Sequence, residues 1–327
     1  MELIFIKNKM KIYLYSIVFG LFFISCSKKT KVENEISQAP LDIKVERFDK
    51  VFFETPPKDL NKIKKQFPFF FPAGNDDSVW LNKMQDPIWR ELYTEVQKKY
   101  ANIEPVKTDL ETLFKHIKYY FPKTRTPKLI TVISEMDYNN KAIYADSLVI
   151  VSLELYLGKN HKFYQFPDYL KQNFEQKQIM PDIVSSFAVQ KILPFSEKNL
   201  LSQMIYYGKE LYLKDLLLPE YNDADKMGYT PEQIKWCEEN ESYMWRYFIE
   251  KEMLYSDDQK LNNRFINPAP FSKFYLEIDN ESPGRVGAWI GWQIVRSYMK
   301  NNEVSLEQLL NTNAKELFEK SKYKPKK

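Results

Sequence analysis

Lys128-Leu129-Ile130-Thr131-Val132-Ile133 and Ser147-Leu148-Val149-Ile150-Val151-Ser152 are short runs rich in β-branched residues, and both read as strands. Ala142-Ile143-Tyr144-Ala145, just before the second run, reads as a third and shorter strand. Upstream, Leu41-Asp42-Ile43-Lys44-Val45-Glu46-Arg47-Phe48 alternates apolar and polar side chains, the pattern of a half-buried strand. Helices lie between. From Asp76 to Tyr100, an acidic or serine cap (Asp76, Asp77 or Ser78) precedes Trp80, Met84, Ile88, Leu92 and Val96 at helical spacing. Thr108 to Phe121 is a second helix, stopped by Pro122.

Beyond about Pro167 the pattern is almost entirely helical: Ile179 to Ile192, Glu197 to Leu217, Pro231 to Leu254, Arg285 to Lys300, and two short segments near Leu306 and Ala314. Thr230-Pro231 is an N-cap followed by a proline in the first helical position. Strands first and helices later point to the α+β class, predominantly helical, with a small N-terminal sheet followed by a helical C-terminal part. Residues 41–320 read as a single α+β domain, mixed over 41–157 and mostly helical over 158–320, and 321–327 as a basic tail. The chain has 23 Phe and 22 Tyr but only 8 Gly. Scarce glycine argues against a dinucleotide fingerprint or a turn-dense β-sandwich, and the aromatic surplus suits a core of large side chains.

The N-terminus has the three parts of a secretion signal. Lys7, Lys9 and Lys11 precede an apolar run from Ile12 to Ser25, and Phe23-Ile24-Ser25-Cys26 follows the pattern of a lipobox, with Phe23 bulkier than the usual residue there. The run is shorter than the roughly 20 residues a bilayer requires. Residues 1–25 therefore read as a cleaved signal peptide, with Met10 an alternative start. Residues 26–40 read as a lipidated Cys26 followed by a polar, flexible tether. Acylation of Cys26, for example by palmitate, places the body in a bacterial cell envelope, tied to a membrane and facing the periplasm; inner or outer membrane is left open. Three basic residues and one acidic residue leave with the signal, so the net charge of +4 falls to +2. Nothing in that balance suits nucleic acid as a partner. With Cys26 acylated, Cys237 has no second cysteine to pair with.

Candidates for chemistry are few. The chain has two histidines, His116 on a helix and His161 in a loop, and no His-x-x-x-His pair for zinc. No Gly-x-Ser-x-Gly elbow is present. Asn222-Asp223-Ala224-Asp225 lacks the glycine and terminal glutamate of a calcium loop, and Glu220-Tyr221-Asn222-Asp223 reads as a loop. Acidic pairs such as Asp76-Asp77 and Asp257-Asp258 are compatible with a two-carboxylate hydrolase but are too common to point to one. No cofactor is expected. The segment Ser282-Pro283-Gly284-Arg285 leads into a helix where Gly287 and Gly291 share one face, beside a ridge of Trp289 and Trp292. Gly287, Trp289, Gly291 and Trp292 are read either as a tight helix contact or as an interaction face.

At these residues the sequence resembles the gliding-motility lipoprotein GldB family of the Bacteroidota. The resemblance spans nearly the whole chain. It rests on the lipoprotein signal, Ile179-Met180-Pro181-Asp182-Ile183-Val184, Tyr207-Gly208-Lys209-Glu210-Leu211-Tyr212 and Met227-Gly228-Tyr229-Thr230-Pro231-Glu232-Gln233. Trp236, Asn240-Glu241, Trp245 and Pro283-Gly284-Arg285 complete it. It implies a role in gliding motility and the linked protein-secretion machinery, with other envelope proteins as partners and no chemistry. The layout is more distantly similar to zinc peptidases with a His-Glu-x-x-His helix, which would make this a degenerate zincin-like fold. Ser185, Ser186 and Val189 would stand where the two histidines and the glutamate belong, and neither serine nor valine holds Zn²⁺ as imidazole does. A non-enzymatic envelope protein is thus the first expectation. The alternatives are a cell-wall or peptide hydrolase using carboxylates and a peptide- or solute-binding lipoprotein with an aromatic cleft.

Overall fold

The computed structural model describes residues 31–326 apart from Ser196 and Ile278. The expected signal peptide and the acylated Cys26 lie outside the described residues. The described residues divide into two units, one up to Pro40 and one from Leu41 onward. In the first, the segment expected to be a structureless tether carries helix α1, Lys31–Gln38. Its residues explain this: no Gly or Pro interrupts Lys31–Gln38, Glu and Gln favour helix, and Val32 and Ile36 fall on one face.

In the second unit the order is β1 (Val45–Arg47), α2 (Phe48–Glu54), α3 (Leu60–Gln66), α4 (Asp77–Gln85), α5 (Pro87–Tyr100), α6 (Glu104–Tyr120), β2 (Lys128–Val132), β3 (Ala142–Ala145) and β4 (Leu148–Ser152). There follow α7 (Asp168–Lys171), α8 (Ile179–Val189), α9 (Leu200–Leu217), α10 (Asp223–Met227), α11 (Pro231–Glu250), α12 (Lys260–Phe265), α13 (Val286–Asn301), α14 (Leu306–Asn311) and α15 (Ala314–Ser321). This is an α+β fold, predominantly helical. The strands form one mixed sheet in the order β1-β2-β4-β3. β1 and β4 run parallel to β2, and β3 pairs antiparallel with β4 through the register Ala145↔Leu148.

Local chemistry moved two expected boundaries. The alternating stretch from Leu41 yields only three strand residues, because Phe48, Phe52 and Phe53 turn the chain into α2 and bury their rings in the core. The helix expected over Asp76–Tyr100 is two helices. Asp86 adopts extended backbone, its carboxylate accepts from the Ile88 and Trp89 amides, and Pro87 occupies the first position of α5.

Apolar side chains gather in two clusters. One lies around the sheet, with Leu129, Val149, Val151, Phe114, Ile183 and Phe187. The other lies among the C-terminal helices, with Met204, Phe248, Phe265, Ile290, Trp292 and Val295. Helix α9 serves both: Leu213 and Leu217 face the first, Met204, Ile205 and Leu211 the second. Its remaining face is polar, and there the cleft opens.

Candidate functional site

On α8, Ile179, Ile183, Val184 and Phe187 are buried, while Asp182 and Ser185, one turn apart, lie on another face. On α9, Tyr207, Glu210 and Lys214 follow at helical spacing. These two faces bound a cleft of about 370 Å³, closed further by Tyr138 and Asn139 after β2, by Tyr169 and Asn173 around α7, and by Arg285 before α13. The volume lies within the range of small-molecule sites.

The turn carrying Arg285 is held firmly. Ser272 donates from its hydroxyl to the Pro283 carbonyl at 2.8 Å, and its amide donates to Ser282 Oγ at 3.1 Å. The Tyr229 hydroxyl donates to the Gly284 carbonyl. Arg285 itself takes a left-handed backbone, φ 65°, unfavourable for a residue with a side chain and sustained only by such surroundings.

Charges in the cleft are mostly matched. Lys141 Nζ lies 2.7 Å from Asp182 Oδ2, to which Tyr156 also donates at 2.8 Å. Ser185 Oγ donates to Glu210 Oε1 at 2.7 Å, and Lys214 Nζ lies 3.3 Å from the same oxygen. Lys226 is paired with Asp215 at 3.0 Å. Burial pushes the Glu210 carboxyl up, but Lys214, Arg285 and the Ser185 hydroxyl outweigh it and hold Glu210 below the ordinary carboxylate value. Glu210 is therefore ionised and committed to its donors, which is the wrong state for a general acid.

The three positions expected to correspond to a metal-binding helix go to three different environments. Ser185 lines the cleft. Ser186 Oγ accepts from the Tyr144 amide at 2.8 Å and so ties α8 to the edge strand β3. Val189 is exposed at the end of α8. No group of three His, Cys, Asp or Glu among the described residues is disposed to hold a metal. His116 is buried on α6 with Nδ1 2.9 Å from the Thr112 carbonyl oxygen. His161 stacks on Phe163 with Nε2 3.5 Å from Glu95. Cys237 is fully buried, and burial pushes its thiol well up.

The face formed by Gly287, Trp289, Gly291 and Trp292 is not a surface. Trp289 and Trp292 are 3 % and 0 % exposed, Gly287 abuts Phe265, and Gly291 abuts the backbone of Met204 on α9. The physical reason is Gly291 on α13 and Gly208 on α9, which let those two helices touch backbone to backbone. The members of this segment that line the cleft are instead Gly284 and Arg285. Asp182 and Glu210 lie in segments that carry the family resemblance, but no local spacing joins them to each other or to Lys214, because the cleft is assembled from segments far apart in the chain.

No helix among the described residues is long and apolar enough to cross a membrane. Comparison with curated proteins and with solved structures found no match. The family model for gliding motility protein GldB matches residues 29–325, and the chain belongs to this family of gliding-motility lipoproteins.

Proposed function

We propose that this chain is an envelope-anchored lipoprotein that supports gliding motility, and the protein-secretion machinery linked to it, through contacts with other envelope proteins and without catalysis. Family membership over residues 29–325 carries the motility part. Two features support the non-catalytic part. Ser186 and Val189 are spent on packing and exposure at the positions where a peptidase needs its base and its second ligand. Glu210 and Asp182 are each held by a lysine rather than left to move protons. In this reading Cys26 bears the lipid and the body faces the periplasm.

Crosslinking in living cells tests this directly. A photo-crosslinking residue at exposed Val189 or Tyr275 leaves the buried helix contacts intact. Deletion of the gene should abolish gliding and secretion, and the crosslinker should capture other envelope proteins. Full gliding without the chain, or hydrolysis of peptide or cell-wall material by the purified protein, would overturn it.

A further inference from the structure

We infer that the cleft between α8, α9 and the Arg285 turn binds the C-terminal carboxylate of a peptide segment, with Arg285 as its anchor. This deepens the contact reading above, on which it rests, by giving the chemistry of the partner.

Charge complementarity comes first. Lys141, Lys214 and Lys226 each have a carboxylate, namely Asp182, Glu210 and Asp215. Arg285 has none within ion-pair distance among the described residues. Its guanidinium meets the Met227 carbonyl oxygen only at 3.5 Å and sits 5.8 Å from the centre of the Tyr207 ring. Glu210 is nearby, but it already accepts from Ser185 and faces Lys214. One positive charge is therefore left over in a half-enclosed cleft, beside the N-terminus of a 16-residue helix whose dipole has the same sign. A guanidinium presents a planar fork that fits a carboxylate with two parallel hydrogen bonds.

The backbone at Arg285 is the second observation. A left-handed arginine is held in place by Ser272, Ser282 and Tyr229, so the fold sustains strain at the residue that carries the surplus charge. The remaining lining fits a peptide better than a phosphate. Beyond Arg285 the cleft offers no further uncompensated cation. Asn139 is held by Asp137, but the Asn173 side chain makes no hydrogen bond within the described residues, which leaves one amide free for peptide N–H and C=O groups. Tyr138 and Tyr169 add aromatic surface at the same cleft, suited to the terminal side chain.

The test uses the full chain purified in detergent and isothermal titration with the tripeptide Ala-Ala-Tyr, its C-terminal amide and inorganic phosphate. The acid should bind saturably and the amide about tenfold more weakly or worse, because the amide removes the charge that Arg285 meets. Phosphate should compete poorly. Arg285→Gln should bring the acid down to the level of the amide, with the thermal melt showing an intact fold. Asn173→Asp, at a half-exposed position free of backbone strain, provides a second variant: it should weaken the acid more than the amide, because only the acid is also repelled. Equal binding of acid and amide, tighter binding of phosphate, or no saturable binding of the acid would overturn the inference. A cleft that fails here while crosslinking in cells still captures envelope proteins removes this site and leaves the contact reading standing. Loss of crosslinking with carboxylate binding intact does the reverse.

Discussion

A Cβ placed on Gly291 would stand 1.8 Å from the carbonyl oxygen of Met204, and one on Gly208 would stand 2.3 Å from the carbonyl oxygen of Gly291. Helices α9 and α13 thus meet through bare backbone. Both cleft walls depend on that contact, since Glu210 rides on α9 and Arg285 opens α13. Backbone cannot yield as a flexible side chain does. Gly291→Ala should therefore lower stability by about 3 kcal/mol, the upper end of ordinary overpacking, read as a shift in the urea midpoint. An unchanged midpoint would show that the two helices are not in this contact.

Asp49 is the second prediction. It is wholly buried between β1, α2, α5 and β2. Its carboxylate accepts from Arg47 at 2.9 and 2.7 Å, from Gln97 at 2.8 Å and from Thr131 at 2.5 Å. Asp49→Ala would leave the mostly buried Arg47 guanidinium without its counter-charge and should cost about 3 kcal/mol or more. Asp49→Asn preserves shape and part of the hydrogen bonding, so its loss should be smaller. Denaturant titration of both variants decides the matter; an Asn variant less stable than the Ala variant would contradict this account of the network.

These cases mark how far the sequence could be read. Ala142–Ala145 and the cores of the runs at 128 and 148 appear as strands where periodicity placed them. The long C-terminal helices also appear, with ends shifted by a few residues where caps such as Asn199 act. Both are local signals. Asp86-Pro87 was legible too, as a cap and a first-turn proline, but the apolar spacing on either side ran on through it and hid the break. The short helices α2, α3 and α12 were missed because a few residues carry little periodicity. The cleft is a different matter. Asp182, Glu210 and Arg285 are brought together only by the crossing of α8, α9 and α13, and no spacing within one segment encodes that. The shared face of the glycine–tryptophan segment is legible in the spacing, but close packing, not exposure, is what its glycines serve.

Cys26 offers a prediction about the anchor. The lipobox pattern Phe23-Ile24-Ser25-Cys26 predicts that this sulfur carries the acyl chains. Cys26→Ala should abolish incorporation of labelled palmitate and shift the chain from the membrane fraction to a soluble or signal-anchored form. Labelling that persists in the variant would refute the assignment, because the other cysteine, Cys237, is buried inside the body.

Lys209 gives a prediction in pH. The residue is 4 % exposed, and its ammonium donates to the carbonyl oxygens of Leu310 and Thr312 at 3.1 and 2.6 Å. Burial pulls its pKa down to about 8. In the unfolded chain an ordinary lysine titrates near 10.4, so the unfolded state binds the proton more tightly. Below pH 8 both states are protonated and the penalty for burying the charge, about 3 kcal/mol, is fully present. Between about pH 8 and 10 the folded chain has released its proton while the unfolded chain retains it, and stability rises with pH. Lys209→Met removes this group and should flatten the rise. The buried tyrosines Tyr156 and Tyr229 titrate in both proteins and cancel in the comparison. The measurement is the difference in urea midpoint between the two chains from pH 7 to about 9.5. The gap should move in favour of the lysine chain as pH increases; parallel curves would mean that Lys209 keeps its proton in the fold.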